Sequence, residues 1–154
     1  IEKIDMIRDY FPKAGVGADI IAGFPGESDK QFENTLNFLR KVPITHFHPF
    51  PYSKRQKTMA LKMENHVSNQ VKKERMKALI SLGKAKLNLF QTEQVGSINK
   101  VLYEKKNKEG YWEGLTSNYL KVLVNSDQNL KNKIINTKIS DLKDESLFGE
   151  ILLS

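Results

Sequence analysis

Residues 19–39 constrain the fold more than any other stretch. Asp19-Ile-Ile-Ala22 is a short apolar run with two β-branched residues, which reads as a buried strand. Gly23, Pro25 and Gly26 end it abruptly. Ser28 follows, with Gln31 three residues on, the spacing of a capping box. Phe32, Leu36 and Leu39 then recur as the stripe of an amphipathic helix over 28–42, and Pro43 stops it. The unit is strand, tight loop, helix. Its loop leaves the C-terminal end of the strand, where α/β folds bind ligands, and its glycines let backbone amides approach one. The loop has no Gly-Lys-Ser/Thr run and no dinucleotide fingerprint, so its chemistry alone also fits a plain strand-to-helix turn.

Composition narrows the chemistry. The 154 residues allow one domain or two small ones. There is no cysteine, hence no disulfide, thiolate metal site or iron–sulfur ligand from this chain. Three histidines are too few for a convincing zinc centre, so no metal ligands and no catalytic residues are assigned. No apolar run reaches the length of a membrane span and no signal peptide is visible, which makes the cytoplasm the expected location. The first residue is not methionine, and Ile1-Glu-Lys-Ile4 reads as mid-helix, so a fragment lacking upstream domains is expected. Net charge is −1 over residues 1–52, +8 over 53–90 and 0 over 91–154. A central basic segment of this kind points to a polyanion or is a solvated helix face.

Ile4, Ile7 and Tyr10/Phe11 make one helical stripe over 1–11, ended by Pro12. Residues 44–53 alternate so that His46, His48, Phe50 and Tyr52 share a face. Pro49 and Pro51 confine this run to an edge strand. With the helix between them, the two strands form a βαβ unit and should be parallel. Residues 60–67 read as irregular. A long helix is expected from Ser68 to about Phe90, with Val71, Ala78, Leu79, Leu82, Ala85 and Leu89 as its apolar stripe. Its lysines and arginines carry most of the central charge, and Gly83 weakens it. From about residue 93 the texture changes. Five short β-rich runs, 98–104, 111–116, 119–124, 133–139 and 148–153, alternate with turn-like segments. They predict a small antiparallel barrel of the oligonucleotide-binding type.

Three of these stretches carry a resemblance. Asp19-Ile-Ile-Ala-Gly-Phe-Pro-Gly-Glu-Ser28 resembles the fifth-strand motif of radical-SAM methylthiotransferases. The run ending His48-Pro-Phe-Pro-Tyr-Ser53, followed by Arg55, Thr58 and Ala60, resembles their sixth strand, except that Gln56-Lys57 stands where Pro-Gly is usual. Gly110-Tyr-Trp-Glu-Gly-Leu-Thr-Ser-Asn-Tyr-Leu-Lys-Val122 resembles the middle of the RNA-binding TRAM domain. The resemblance covers nearly the whole chain. It implies the C-terminal fragment of a tRNA methylthiotransferase of the threonylcarbamoyladenosine branch, with the isopentenyladenosine branch as the nearer alternative. The implied architecture is α/β: the βαβ end of a partial TIM-like radical-SAM barrel (1–67), a basic linking helix (68–92) and an OB-like TRAM β-barrel (93–154).

The resemblance also implies the sites. Gly23, Phe24, Pro25, Gly26, Glu27, Tyr52 and Ser53 would border S-adenosylmethionine. Arg55, Lys72, Lys73, Tyr111, Trp112, Asn118, Tyr119 and Lys121 would contact a tRNA anticodon stem-loop, the rings by stacking bases. Trp112 is equally readable as barrel core. Two 4Fe–4S clusters belong to the full-length enzyme, ligated by upstream cysteines, so the fragment alone is expected to be inactive. A stand-alone RNA-binding module and a ribosomal-protein methylthiotransferase are the other readings, and the basic 53–90 segment favours RNA over the latter.

Overall fold

The computed structural model describes residues 1–152. The chain divides into two compact units, residues 1–87 and 88–154.

The first unit contains α1 (Glu2–Tyr10), β1 (Gly17–Ala22), α2 (Asp29–Lys41), β2 (His46–Pro51), α3 (Met59–Lys62) and most of α4 (Asn69–Thr92). The capping box forms: the Gln31 amide donates to Ser28 Oγ, and the Ser28 amide donates to Gln31 Oε1 at 2.8 Å. β1 and β2 pair in parallel, Gly17 opposite His46 through Ala22 opposite Pro51. Ala22, Leu39, Val42, Ile44, Phe47 and Leu79 form the core, with Ile20, Phe32, Leu36 and Leu82 packed against it.

Four expectations change here. β1 is not buried on both faces. Ile20 and Ala22 meet the core, whereas Ile21 on the opposite face is 58% exposed. The reason is that α2 and α4 supply the core partners of the sheet, and side chains alternate along a strand. α1 buries none of its residues, and Tyr10 and Phe11 are largely exposed. On α4 the apolar stripe holds at Leu79, but Ala85 and Leu89 face solvent, and Arg75 and Gly83 are buried instead. Positions 71, 75, 79 and 83 lie four apart on one face of the helix, so its inner row contains an arginine. The run 60–67 is not wholly irregular, because its first residues belong to the single helical turn Met59–Lys62.

The second unit is a closed barrel of β3 (Ile98–Lys106), β4 (Trp112–Thr116), β5 (Lys121–Val124), β6 (Lys133–Lys143) and β7 (Ser146–Ile151). The strand order around it is β3-β4-β5-β7-β6, an OB-like arrangement. All neighbours are antiparallel except β5 and β7, which pair in parallel at Val122–Leu147 and Leu123–Phe148. The expected all-antiparallel barrel is therefore corrected. A closed ring with an odd number of strands cannot alternate direction all the way round, so one pair must run parallel. The expected last strand reached 153, which lies outside the described residues. Bulges at Tyr103/Lys105 and Ile139/Asp141 bend the long strands to close the ring. Val101, Tyr103, Val122, Val124, Leu130, Ile139 and Leu147 fill it. The Tyr103 hydroxyl is paired with Thr137 Oγ1 at 2.8 Å, and burial raises its pKa against the opposing effect of that bond.

Candidate functional site

In the first unit the loop after β1 is held by its own glutamate. Glu27 Oε2 accepts the Gly23 amide at 2.6 Å, and the Glu27 amide donates to Phe24 O at 2.9 Å. Gly23 and Gly26 have φ of 75° and 83°, a region open to glycine and costly to other residues. The Gly26 amide donates to Asn65 O at 2.9 Å. Arg75, reaching in from α4, donates to the same Glu27 Oε2 at 2.6 Å, to Glu27 O at 3.0 Å and to Asp29 Oδ1 at 2.7 Å. Its side chain is 5% exposed, so it is a structural clamp and not a surface cation.

Beside the loop lies a cavity of about 500 Å³ on the β1–β2 face opposite the core. Phe24, Tyr52 and Ser53 line it, together with Ile21, Phe50 and Arg55. Gly23, Pro25, Gly26 and Glu27 do not line it; they shape the loop that carries Phe24. Tyr52 extends the strand ladder through its amide to Ala22 O at 2.8 Å, and its ring meets Phe24 edge-on at 5.4 Å. The Tyr52 hydroxyl is buried without a hydrogen-bond partner among the described residues. Asp19, Ile21 and Phe50 also line the cavity and are not among the residues the sequence assigned to it. Their signal was strand alternation, since they occupy every second position leading to the loop and share one face.

The assigned RNA contacts separate into different environments. Lys72 is partly buried: Nζ donates to Tyr52 O at 3.3 Å and lies 5.9 Å from the Tyr52 ring centroid. A Cβ added to Gly23 would strike its stem. Lys73 is exposed. Trp112 is 7% exposed, with Lys106 Nζ 5.4 Å from its ring centroid, so it is barrel core and has no free face for a base. Tyr111 is half-buried and packs edge-on against Phe148 at 5.6 Å. Asn118 Oδ1 accepts from Thr116 Oγ1 inside the β4–β5 turn. Lys121 Nζ pairs with Glu113 at 2.6 Å, and that bond holds the Glu113 carboxyl below its usual range. Tyr119 is 84% exposed.

The chain is 38% identical over 153 residues to a tRNA-2-methylthio-N(6)-dimethylallyladenosine synthase of Fusobacterium nucleatum, covering 97% of this chain and 35% of that protein. It is 32% identical over 142 residues to the threonylcarbamoyladenosine tRNA methylthiotransferase MtaB of Bacillus subtilis, covering 90% of this chain and 32% of that protein. An Aquifex aeolicus protein bearing the first of these names is 33% identical over 152 residues, 99% of this chain and 34% of its own length. The chain is a relative of the tRNA methylthiotransferases. It spans about a third of the length of the relatives it matches. No protein-family model matches it. Within this methylthiotransferase-like chain, no group of three or more His, Cys, Asp or Glu side chains suited to a metal occurs among the described residues. No helix among them is long and apolar enough to cross a membrane. The cavity's aromatic walls, the Ser53 hydroxyl and the Arg55 cation suit a ligand with a planar ring and polar ends. The chain has no thiolate to offer an iron–sulfur cluster.

Proposed function

We propose that this chain is part of a cytoplasmic tRNA methylthiotransferase that modifies an adenosine beside the anticodon. The similarity to such enzymes over 97% of the chain carries the reading. In it, the first unit is the βαβ end of a radical-SAM barrel. Phe24, Tyr52 and Ser53 flank S-adenosylmethionine, while Gly23, Pro25, Gly26 and Glu27 fix the loop that presents Phe24. In this reading these residues would hold S-adenosylmethionine, which would contribute its methyl group and, given one electron from a cluster held outside this chain, radical chemistry. Cluster thiolates come from outside this chain, which has none, and the chain alone is therefore inactive in methylthiolation.

The second unit grips the anticodon stem-loop. An OB-like barrel with exposed lysines suits single-stranded RNA, whose unpaired bases stack on rings while amines meet phosphates. The modified adenosine carries a threonylcarbamoyl group in the reading from the loop motifs. The names of the Fusobacterium and Aquifex relatives favour a dimethylallyl group instead. Nucleoside mass spectrometry of tRNA from cells lacking the gene separates the two. Loss of methylthio-threonylcarbamoyladenosine supports the first and loss of methylthio-dimethylallyladenosine the second. Retention of both overturns the proposal.

A further inference from the structure

Tyr119 occupies a backbone position that its side chain disfavours. The turn between β4 and β5 is tightly bonded. The Tyr119 amide donates to Thr116 O at 3.0 Å, the Thr116 amide to Leu120 O at 3.0 Å, and the Leu120 amide to Thr116 Oγ1 at 2.9 Å. These bonds hold Tyr119 at φ 63°, in the left-handed region. Three-residue hairpin turns that end on such a residue favour glycine there, and asparagine is the next most tolerant. Three of the other described non-glycine residues with positive φ are Asn65, Asn132 and Asp144, the ordinary occupants, and none of the set is aromatic.

Packing gives no reason for the ring. It is 84% exposed and makes no ring contact among the described residues, unlike Tyr111, which leans on Phe148. A disfavoured conformation held by surrounding bonds marks a position kept for something other than stability. Two lysines lie on the strands that border the turn. Lys121 leads out of the turn, and Lys100 precedes the Val101–Thr116 pair, which brings its strand position beside the turn. Both are exposed, and Lys121 is partly neutralised by Glu113. An exposed ring on a turn bordered by basic strand positions suits an unpaired nucleotide, with the base on the ring and a phosphate within reach of Lys100.

We infer that Tyr119 is a stacking platform for one unpaired base of an RNA loop, and that the β4–β5 turn gives up stability to present it. The inference rests on the RNA-binding reading above. The test titrates the chain and two variants with a labelled anticodon stem-loop and with a blunt RNA duplex of equal length, at one salt concentration, and melts each protein. Y119N binds the stem-loop about 5- to 150-fold more weakly, the loss of one base stack. Its duplex binding is unchanged. It melts at the same temperature or higher, because asparagine tolerates the left-handed backbone. Y119W keeps stem-loop affinity within about twofold, since its ring still stacks. Three results overturn the inference alone: Y119N binding as tightly as the unaltered chain, Y119N losing as much on the duplex, or Y119W losing as much as Y119N. A lower melting temperature for Y119N also overturns it, by making the ring structural. An unaltered chain that binds neither RNA overturns the RNA-binding reading and this inference with it.

Discussion

Arg75 and Glu27 meet at 2.6 Å across 48 positions of sequence, and the Glu27 oxygen that receives the guanidinium also receives the Gly23 amide. One carboxylate thus closes the loop beside the cavity and ties it to α4. Arg75 further lies over the Phe32 ring at 5.2 Å, which joins the loop, α2 and α4 at a single side chain.

Breaking that pair leaves Glu27 without its cation. Arg75→Met is expected to destabilise the first unit by about 3 kcal/mol, the scale for removing one partner of a buried pair. Urea unfolding measures it. A loss below about 0.5 kcal/mol, the size of an ordinary surface change, counts against the clamp.

Two glycines should respond in opposite directions. A Cβ at Gly83 would lie 3.5 Å from the Phe47 ring, an ordinary contact, so Gly83→Ala is expected to stabilise by up to about 1 kcal/mol through helix propensity. At Gly23 the Cβ would collide with the Lys72 stem and φ is positive, so Gly23→Ala is expected to cost at least about 1 kcal/mol. Thermal melts of the two variants against the unaltered chain test the pair of signs.

His46 makes the first unit sensitive to acid. Burial, and secondarily the charge of His48, lower its pKa from the ordinary 6.5. The unfolded chain then binds the proton more readily than the folded one. This contribution is fully present above about pH 6.5 and is lost as pH falls through the folded value. His46→Asn is expected to reduce the drop in urea midpoint between about pH 7.5 and about pH 5.5, with the difference between the two proteins isolating this residue from the carboxylates. Identical drops in both would remove His46 as the cause.

Salt dependence of RNA binding should separate the two neighbouring lysines. Lys73 is exposed, so Lys73→Glu is expected to flatten the slope of log affinity against log salt by about 0.7 or more, with the melting temperature held. Lys72 is committed to Tyr52 and to the stem packing over Gly23, so Lys72→Glu is expected to lower the melting temperature first. A stable Lys72→Glu protein with the flatter slope would reverse the assignment.

The sequence alone determined the pieces whose causes lie within a few residues of each other. The capping box of Ser28 and Gln31, helices α1, α2 and α4, the strands of the βαβ unit and the five short strands of the barrel were all legible from spacing and turn chemistry. Phe24, Tyr52 and Ser53 came together only through the family resemblance, and they line one cavity because both loops leave the same ends of two parallel strands. Tertiary structure decided what each side chain does. It turned Arg75 from one charge among many into a buried clamp and drew Lys72 into packing. It placed Trp112 in the barrel wall while leaving Tyr119 outside. It also set β5 beside β7 in parallel, which ring closure requires and no single strand encodes. These outcomes depend on partners tens of residues away, and such contacts leave no period in the local sequence.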